Sequence, residues 1–209
     1  MRGHDMVRRG DSRLIQGETP INFLNKIQKV GYTLNTFIVN VAETLQERGI
    51  EVGKFIPVVD IPLPPKPIDN AESRKDYRRR AAEVCNINAQ AFQKSCRTRM
   101  TMNAVKIFKQ YEKFYIPWSF DYRGRAYPIP AFLTPQDTDF GKSLLKFHEM
   151  SFMTPEAEEW LAFQVATTYG LDKAPMSERL AWVRDNVTII SKVATDPIGN
   201  LPEWEVADE

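Results

Sequence analysis

Between Lys113 and Ile129 the chain reads Phe114-Tyr115-Ile116-Pro117-Trp118-Ser119-Phe120-Asp121-Tyr122-Arg123-Gly124-Arg125-Ala126-Tyr127-Pro128. This stretch interrupts a sequence otherwise dominated by helical patterns. Its aromatic residues, punctuated by proline, predict short strands and turns. Arg123 and Arg125 flank Gly124, a residue that lets the backbone turn tightly or approach a ligand closely. An arginine on either side can grip phosphates through its planar fork. Asp121 is placed to orient one guanidinium by a charge-assisted bond. Tyr115, Trp118, Tyr122 and Tyr127 supply flat faces for bases or sugars. These residues make a preorganised nucleic-acid clamp. The same residues also make a structural Asp–Arg pair in an aromatic core, and composition alone leaves both open.

Upstream lies a segment without proline or glycine, 71–113, which predicts helix. From Arg74 to Lys113 it holds eleven Lys or Arg against Asp76, Glu83 and Glu112, a surplus of eight positive charges. Residues 128–209 hold six Lys or Arg against fourteen Asp or Glu. A chain of net charge +1 is therefore divided into a basic segment and an acidic one. A basic helix can follow a phosphate backbone, with salt-dependent binding through counterion release. It can equally be a solvated face. Lys94, Arg97 and Arg99 cluster with Ser95 and Thr98, hydroxyl residues that suit phosphate contacts.

Further upstream, Thr19 and Pro20 read as N-cap and first residue of a helix. Its stripe, Ile21, Leu24 and Ile27, continues through Leu34, Phe37, Ile38, Val41 and Leu45, as one long helix or two shorter ones about Gly31. Arg48 and Gly49 end it. Five prolines between Pro57 and Pro67 forbid helix and predict an extended linker. Downstream, Thr154 and Pro155 open a helix that Gly170 closes. Ser177 caps another, which Pro197 stops. The organisation expected is an irregular N-terminus (1–17), a helical lead-in (18–50), a proline-rich linker (51–70), basic helices (71–113) and a mixed region (114–209). The fold class is mainly α with a small β element (α+β).

Several functions are excluded by the residues present. Cys85 and Cys96 lack metal-ligand spacing, and a reduced intracellular protein is the natural reading. No apolar run has the length of a membrane span, and the acids among the N-terminal arginines argue against a transit peptide. His4 and His148 have no partner at useful spacing. Asp137 and Asp139 form an Asp-x-Asp pair, but in a turn before a helix an N-cap role for one of them is the better reading than a Mg²⁺ site.

The central stretch resembles the D-x-x-G-R element of single-subunit, bacteriophage-type RNA polymerases, the bacteriophage and mitochondrial family. Pro117, Asp121, Tyr122, Arg123, Gly124, Arg125 and Tyr127 match it, with Tyr122 where phage members often have Trp. The linker with Leu63-Pro64-Pro65-Lys66-Pro67 is similar to the family's, and Tyr77 to Ala82 with Lys94 to Arg97 looks like its thumb helices, although Cys96 stands where members tend to be basic. Pro135-Gln136, Gly141 to Leu145, and Lys173, Pro175, Glu178 and Arg179 have counterparts as well. The similarity covers roughly residues 20–209.

The resemblance implies part of a right-hand polymerase architecture, from the lead-in through the thumb to the start of the palm. It implies a DNA-directed RNA polymerase, a nucleotidyltransferase that grips DNA template and RNA–DNA hybrid and consumes nucleoside triphosphates. The nucleic-acid contacts carried over are Asp121, Tyr122, Arg123, Gly124, Arg125, Tyr127, Lys94, Arg97 and Arg99. Lys142 is either a phosphate contact or a first-turn surface lysine. The resemblance places the two Mg²⁺-binding aspartates, and the Lys and Tyr that handle the triphosphate, C-terminal to Glu209. No catalytic or metal-binding residue is then expected in this chain, which alone is expected to be inactive and to partner a C-terminal polymerase part. The alternative is a non-enzymatic nucleic-acid-binding module. A cytoplasmic location follows, in a phage-infected bacterial cell, with the mitochondrion as the other setting.

Overall fold

The computed structural model describes residues 17–58, 60–66, 71–121 and 123–207. Residues 1–16, with His4, and Tyr122 lie outside these. The described elements are α1 (Glu18–Ile27), β1 (Gly31–Leu34), α2 (Thr36–Arg48), α3 (Ala71–Phe108), β2 (Phe114–Tyr115), β3 (Trp118–Phe120), β4 (Ala126–Pro128), α4 (Asp139–Ser143), β5 (Leu145–Phe147), α5 (Pro155–Tyr169), α6 (Met176–Thr195) and α7 (Leu201–Trp204). Helices dominate, with two small antiparallel sheets, as the patterns predict.

The expected N-terminal stripe is broken. Leu34 belongs to a strand, not to a helix, because Gly31–Leu34 pairs with two later segments. β1 is the middle strand of a sheet ordered β2-β1-β5, Tyr32 opposing Phe114 on one side and Phe147 on the other. The ladder bonds outweigh the helical spacing of Leu34, because each strand would otherwise leave its amides and carbonyls unpaired. α2 then ends as expected at Gly49, whose φ of 67° suits a residue without Cβ.

The core lies under this sheet. Tyr32, Leu34, Val39, Val105, Phe114, Ile116, Trp118, Leu133 and Leu144 form one buried cluster. A second, of Ala42, Leu45 and Phe55, receives Ile198 from the turn after α6 and Trp204 from α7. α3 is a single helix of 38 residues. Its packing face is Ser95, Thr98, Thr101 and Val105, all buried, at spacings of three and four. From Arg74 to Lys94 none of its residues is buried.

The proline-rich segment lies along that helix. The Ile56 amide donates to Thr98 Oγ1, and Ile61 exchanges two 2.9 Å bonds with the Asn88 amide group. Five extended residues at about 3.1–3.3 Å each cover the same length as ten helical residues at about 1.5 Å. The segment therefore runs as a strap antiparallel to α3.

α5 and α6 form a helical hairpin. Thr154 caps α5 by accepting from the Ala157 amide, and Gly170 closes it. α6 starts one residue before Ser177, with Pro175 at the N-cap, so Ser177 does not cap it. Proline fixes φ for a helix start and has no amide to satisfy, so the cap moves upstream.

Candidate nucleic-acid interface

The arginine–glycine–arginine element is the tip of a β-hairpin. β3 and β4 pair with Trp118 opposite Pro128 and Phe120 opposite Ala126. The Asp121 amide donates to the Arg125 carbonyl at 2.9 Å, and the Gly124 amide to the Asp121 carbonyl at 3.1 Å. Gly124 has φ 78°, yet a Cβ there would meet nothing within 4 Å. Glycine is required here for its backbone conformation, not for space.

Asp121 braces the tip through the main chain. Its Oδ1 accepts the main-chain amides of Arg123 at 2.8 Å and Arg125 at 2.9 Å. It fixes the arginines through their backbone, as an Asx turn does, because adjacent amides at a tight turn need an acceptor the ladder cannot supply. Arg123, Gly124 and Arg125 are exposed. Tyr115 and Tyr127 are exposed as well, with Lys113 Nζ 5.3 Å from the Tyr115 ring centre. Trp118 is not available as a stacking face. It is buried in the core: Tyr127 pairs with Ser119, and alternation along β3 turns Trp118 to the opposite face.

On α3 the basic residues divide. Lys94 is exposed. Arg97 is held by Asp137, Nη2 to Oδ1 at 2.7 Å and Nε to Oδ1 at 3.2 Å, and keeps about half of its side chain in solvent. Arg99 is half-buried, its guanidinium 4.3 Å from the Phe92 ring centre. Ser95 and Thr98 are not phosphate contacts. Both are buried, Ser95 bonded to the Ala91 carbonyl and Thr98 accepting from Ile56. Their small size lets the helix pack closely against the strap and the core, and that use of a short side chain takes precedence over its hydroxyl.

Asp137 and Asp139 do not fit a magnesium site. Asp137 is buried and takes up Arg97 together with the Leu133 and Thr138 amides. Asp139 bonds Lys142 at 2.7 Å and Lys54 at 3.4 Å, and the Lys142 ammonium chiefly lowers its carboxyl below the usual range. Among the described residues no group of three or more His, Cys, Asp and Glu side chains gathers to hold a metal. Neither aspartate is the N-cap of α4; Thr138 is, accepting from Gly141. Lys142 pairs with Asp139 within α4.

Two residues have roles that sequence reasoning did not assign. Asp137 organises a turn that no local pattern marks. Arg179 is buried between α5 and α6, donating to the Ala174 and Asp172 carbonyls and to Thr167 Oγ1, and lies over Phe163 at 4.2 Å. The only signal was Arg179 on the inward side of its helix.

An arginine-tipped hairpin beside a basic helix defines a surface of the kind that grips nucleic acid through phosphates. Residues 152–209 match the family model described as DNA-dependent RNA polymerase. The hairpin lies outside that match, and longer relatives cover it. The polymerase of Enterobacteria phage T3 is 31% identical over 156 residues, 70% of this chain and 18% of its own length. The mitochondrial DNA-directed RNA polymerase of Schizosaccharomyces pombe is 27% identical over 192 residues, 89% of this chain and 16% of its own length. DNA-directed RNA polymerase 3 of the Nicotiana sylvestris chloroplast is 26% identical over 188 residues, 89% and 19%. The chain is a relative of the single-subunit, phage-type DNA-directed RNA polymerases. It spans less than a fifth of the length of these relatives.

Proposed function

We propose that these residues form the gripping surface of a DNA-directed RNA polymerase, holding template and RNA–DNA hybrid while nucleoside triphosphates are joined elsewhere in the enzyme. The observation that carries this is the hairpin tip, where one carboxylate oxygen ties down both arginine amides and leaves Arg123 and Arg125 exposed. The proposed nucleic-acid surface comprises Arg123, Gly124, Arg125 and Tyr127, with Lys94, Arg97 and Arg99 on α3; Tyr122, next to Arg123 in sequence, is proposed with them. Asp121 supports it from beneath. In right-hand terms α3 belongs to the thumb and the region from Phe114 onward to the start of the palm.

The family resemblance assigns magnesium chemistry to a further polymerase part. Met150, Phe152 and Met153 support such a partner, being apolar side chains 86%, 99% and 63% exposed. Among the described residues no helix is long and apolar enough to cross a membrane. The setting proposed is the cytoplasm of a phage-infected cell.

The test is binding of a short RNA–DNA hybrid to the folded chain. Affinity should fall by orders of magnitude between about 50 and 200 mM salt, as several phosphate contacts require. No binding at low salt, or binding indifferent to salt, refutes the reading.

A further inference from the structure

We propose that Asp137 is a positioning residue that holds the Arg97 guanidinium ready for a phosphate and, through the turn it organises, ties α3 to the arginine-tipped hairpin. The inference rests on the nucleic-acid reading above. Two segments meet at this one carboxylate, α3 and the turn from Leu133 to Thr138. Oδ1 accepts from Arg97 Nε and Nη2 and from the Thr138 amide; Oδ2 accepts from the Leu133 amide at 2.8 Å. The Asp137 side chain is wholly buried, whereas Arg97 is 55% exposed. The pair is thus dry on the acid's side and wet on the arginine's. Nε and Nη2 are engaged, which leaves the remaining edge of the fork to solvent.

The turn is built around that carboxylate. Leu133 has φ 55°, a conformation a branched side chain adopts only under constraint, and its amide is the one that Oδ2 holds. A Cβ at Gly141 would collide with the Asp137 carboxylate, so α4 approaches it as closely as glycine permits. From the residue before Asp137, Gln136 Nε2 donates to the Ala126 carbonyl on β4 at 3.2 Å. One turn therefore bonds the basic helix on one side and the hairpin strand on the other. A long, rotamer-rich side chain immobilised before binding loses less freedom when it meets its ligand. Asp137 would supply that order to Arg97.

The full chain is titrated with a fluorescein-labelled RNA–DNA hybrid across about 50–200 mM salt, each affinity taken per folded molecule from thermal melts. Arg97→Ala should lower the slope of log affinity against log salt by about 0.7–0.9, one phosphate's worth. Asp137→Asn should weaken binding roughly three-fold or more with the slope unchanged, because Arg97 keeps its charge but not its order. The double variant should bind like Arg97→Ala alone. A purely structural Asp137 gives the opposite, a lower melting temperature with wild-type affinity per folded molecule, and that result overturns the proposal, as do multiplying losses in the double variant. If Asp137→Asn does not fold, Arg97→Lys decides: it keeps the charge and loses the fork, so weaker binding at unchanged slope upholds the proposal and wild-type binding sinks it. A folded wild type that ignores the hybrid refutes the nucleic-acid reading itself, whereas a wild type that binds beside indifferent variants refutes only this inference.

Discussion

At the residue scale the hairpin tip separates two jobs that the sequence leaves mingled. Asp121 shapes the backbone, and the arginines it shapes reach outward. Arg125→Ala should therefore melt as wild type yet bind hybrid ten- to a hundred-fold more weakly, the loss of about 1.5–3 kcal/mol expected of one charge-assisted contact. A lowered melting temperature with unchanged affinity would make Arg125 structural instead. Both amide bonds to Asp121 use the same oxygen. Asn can offer that oxygen and Ala cannot, so Asp121→Ala should lose about 1 kcal/mol of stability and Asp121→Asn less. Asp139 has a pH signature. Its carboxyl is lowered in the folded state by Lys142 and Lys54, so the stabilisation is present above the unfolded carboxylate value and disappears as pH falls through the folded one. Both lysines are largely solvated, so the contribution at neutral pH should not exceed about 0.5 kcal/mol. Asp139→Asn should remove it at pH 7 and change nothing once the wild-type carboxyl is protonated, as chemical denaturation at both pH values will show.

At the element scale, stability is unevenly spread along α3. Ser95, Thr98, Thr101 and Val105 are buried, while Arg74 to Lys94 stand in solvent, with Asn88 bonding the strap. Amide hydrogen exchange should be slowest from 95 to 108 and much faster from 74 to 87, because local opening there exposes little apolar surface. Uniform protection along α3 would contradict this account. The α5–α6 hairpin depends on Arg179, whose guanidinium satisfies two turn carbonyls and Thr167 near the C-terminal, negative end of α5. Arg179→Leu leaves those buried acceptors unpaired and should cost about 2–3 kcal/mol in denaturant unfolding, without altering affinity for hybrid per folded molecule.

At the scale of the whole molecule, charge and connectivity point outward together. The basic surplus lies on a helix whose first half leans into solvent, and the acidic region carries uncovered methionine and phenylalanine. The purified chain, given template, Mg²⁺ and triphosphates, should make no RNA. Template-dependent incorporation would show that metal ligands exist among its residues after all. How much of this was legible beforehand followed from range. Gly49, Gly124, Thr154 and Gly170 sit at the turns and caps the sequence assigned them, because a cap or a positive φ is settled by a residue and its near neighbours. The helical segments, the non-helical proline strap and the arginine-tipped turn were set in the same local way. The sequence could not reveal that Leu34 enters a sheet, that Trp118 and the Ser95–Thr98 hydroxyls turn inward, or that Asp137 grips Arg97 forty positions away. Those outcomes depend on partners far along the chain, and a buried carboxylate or an unpaired strand amide is satisfied by whichever group the tertiary structure brings to it.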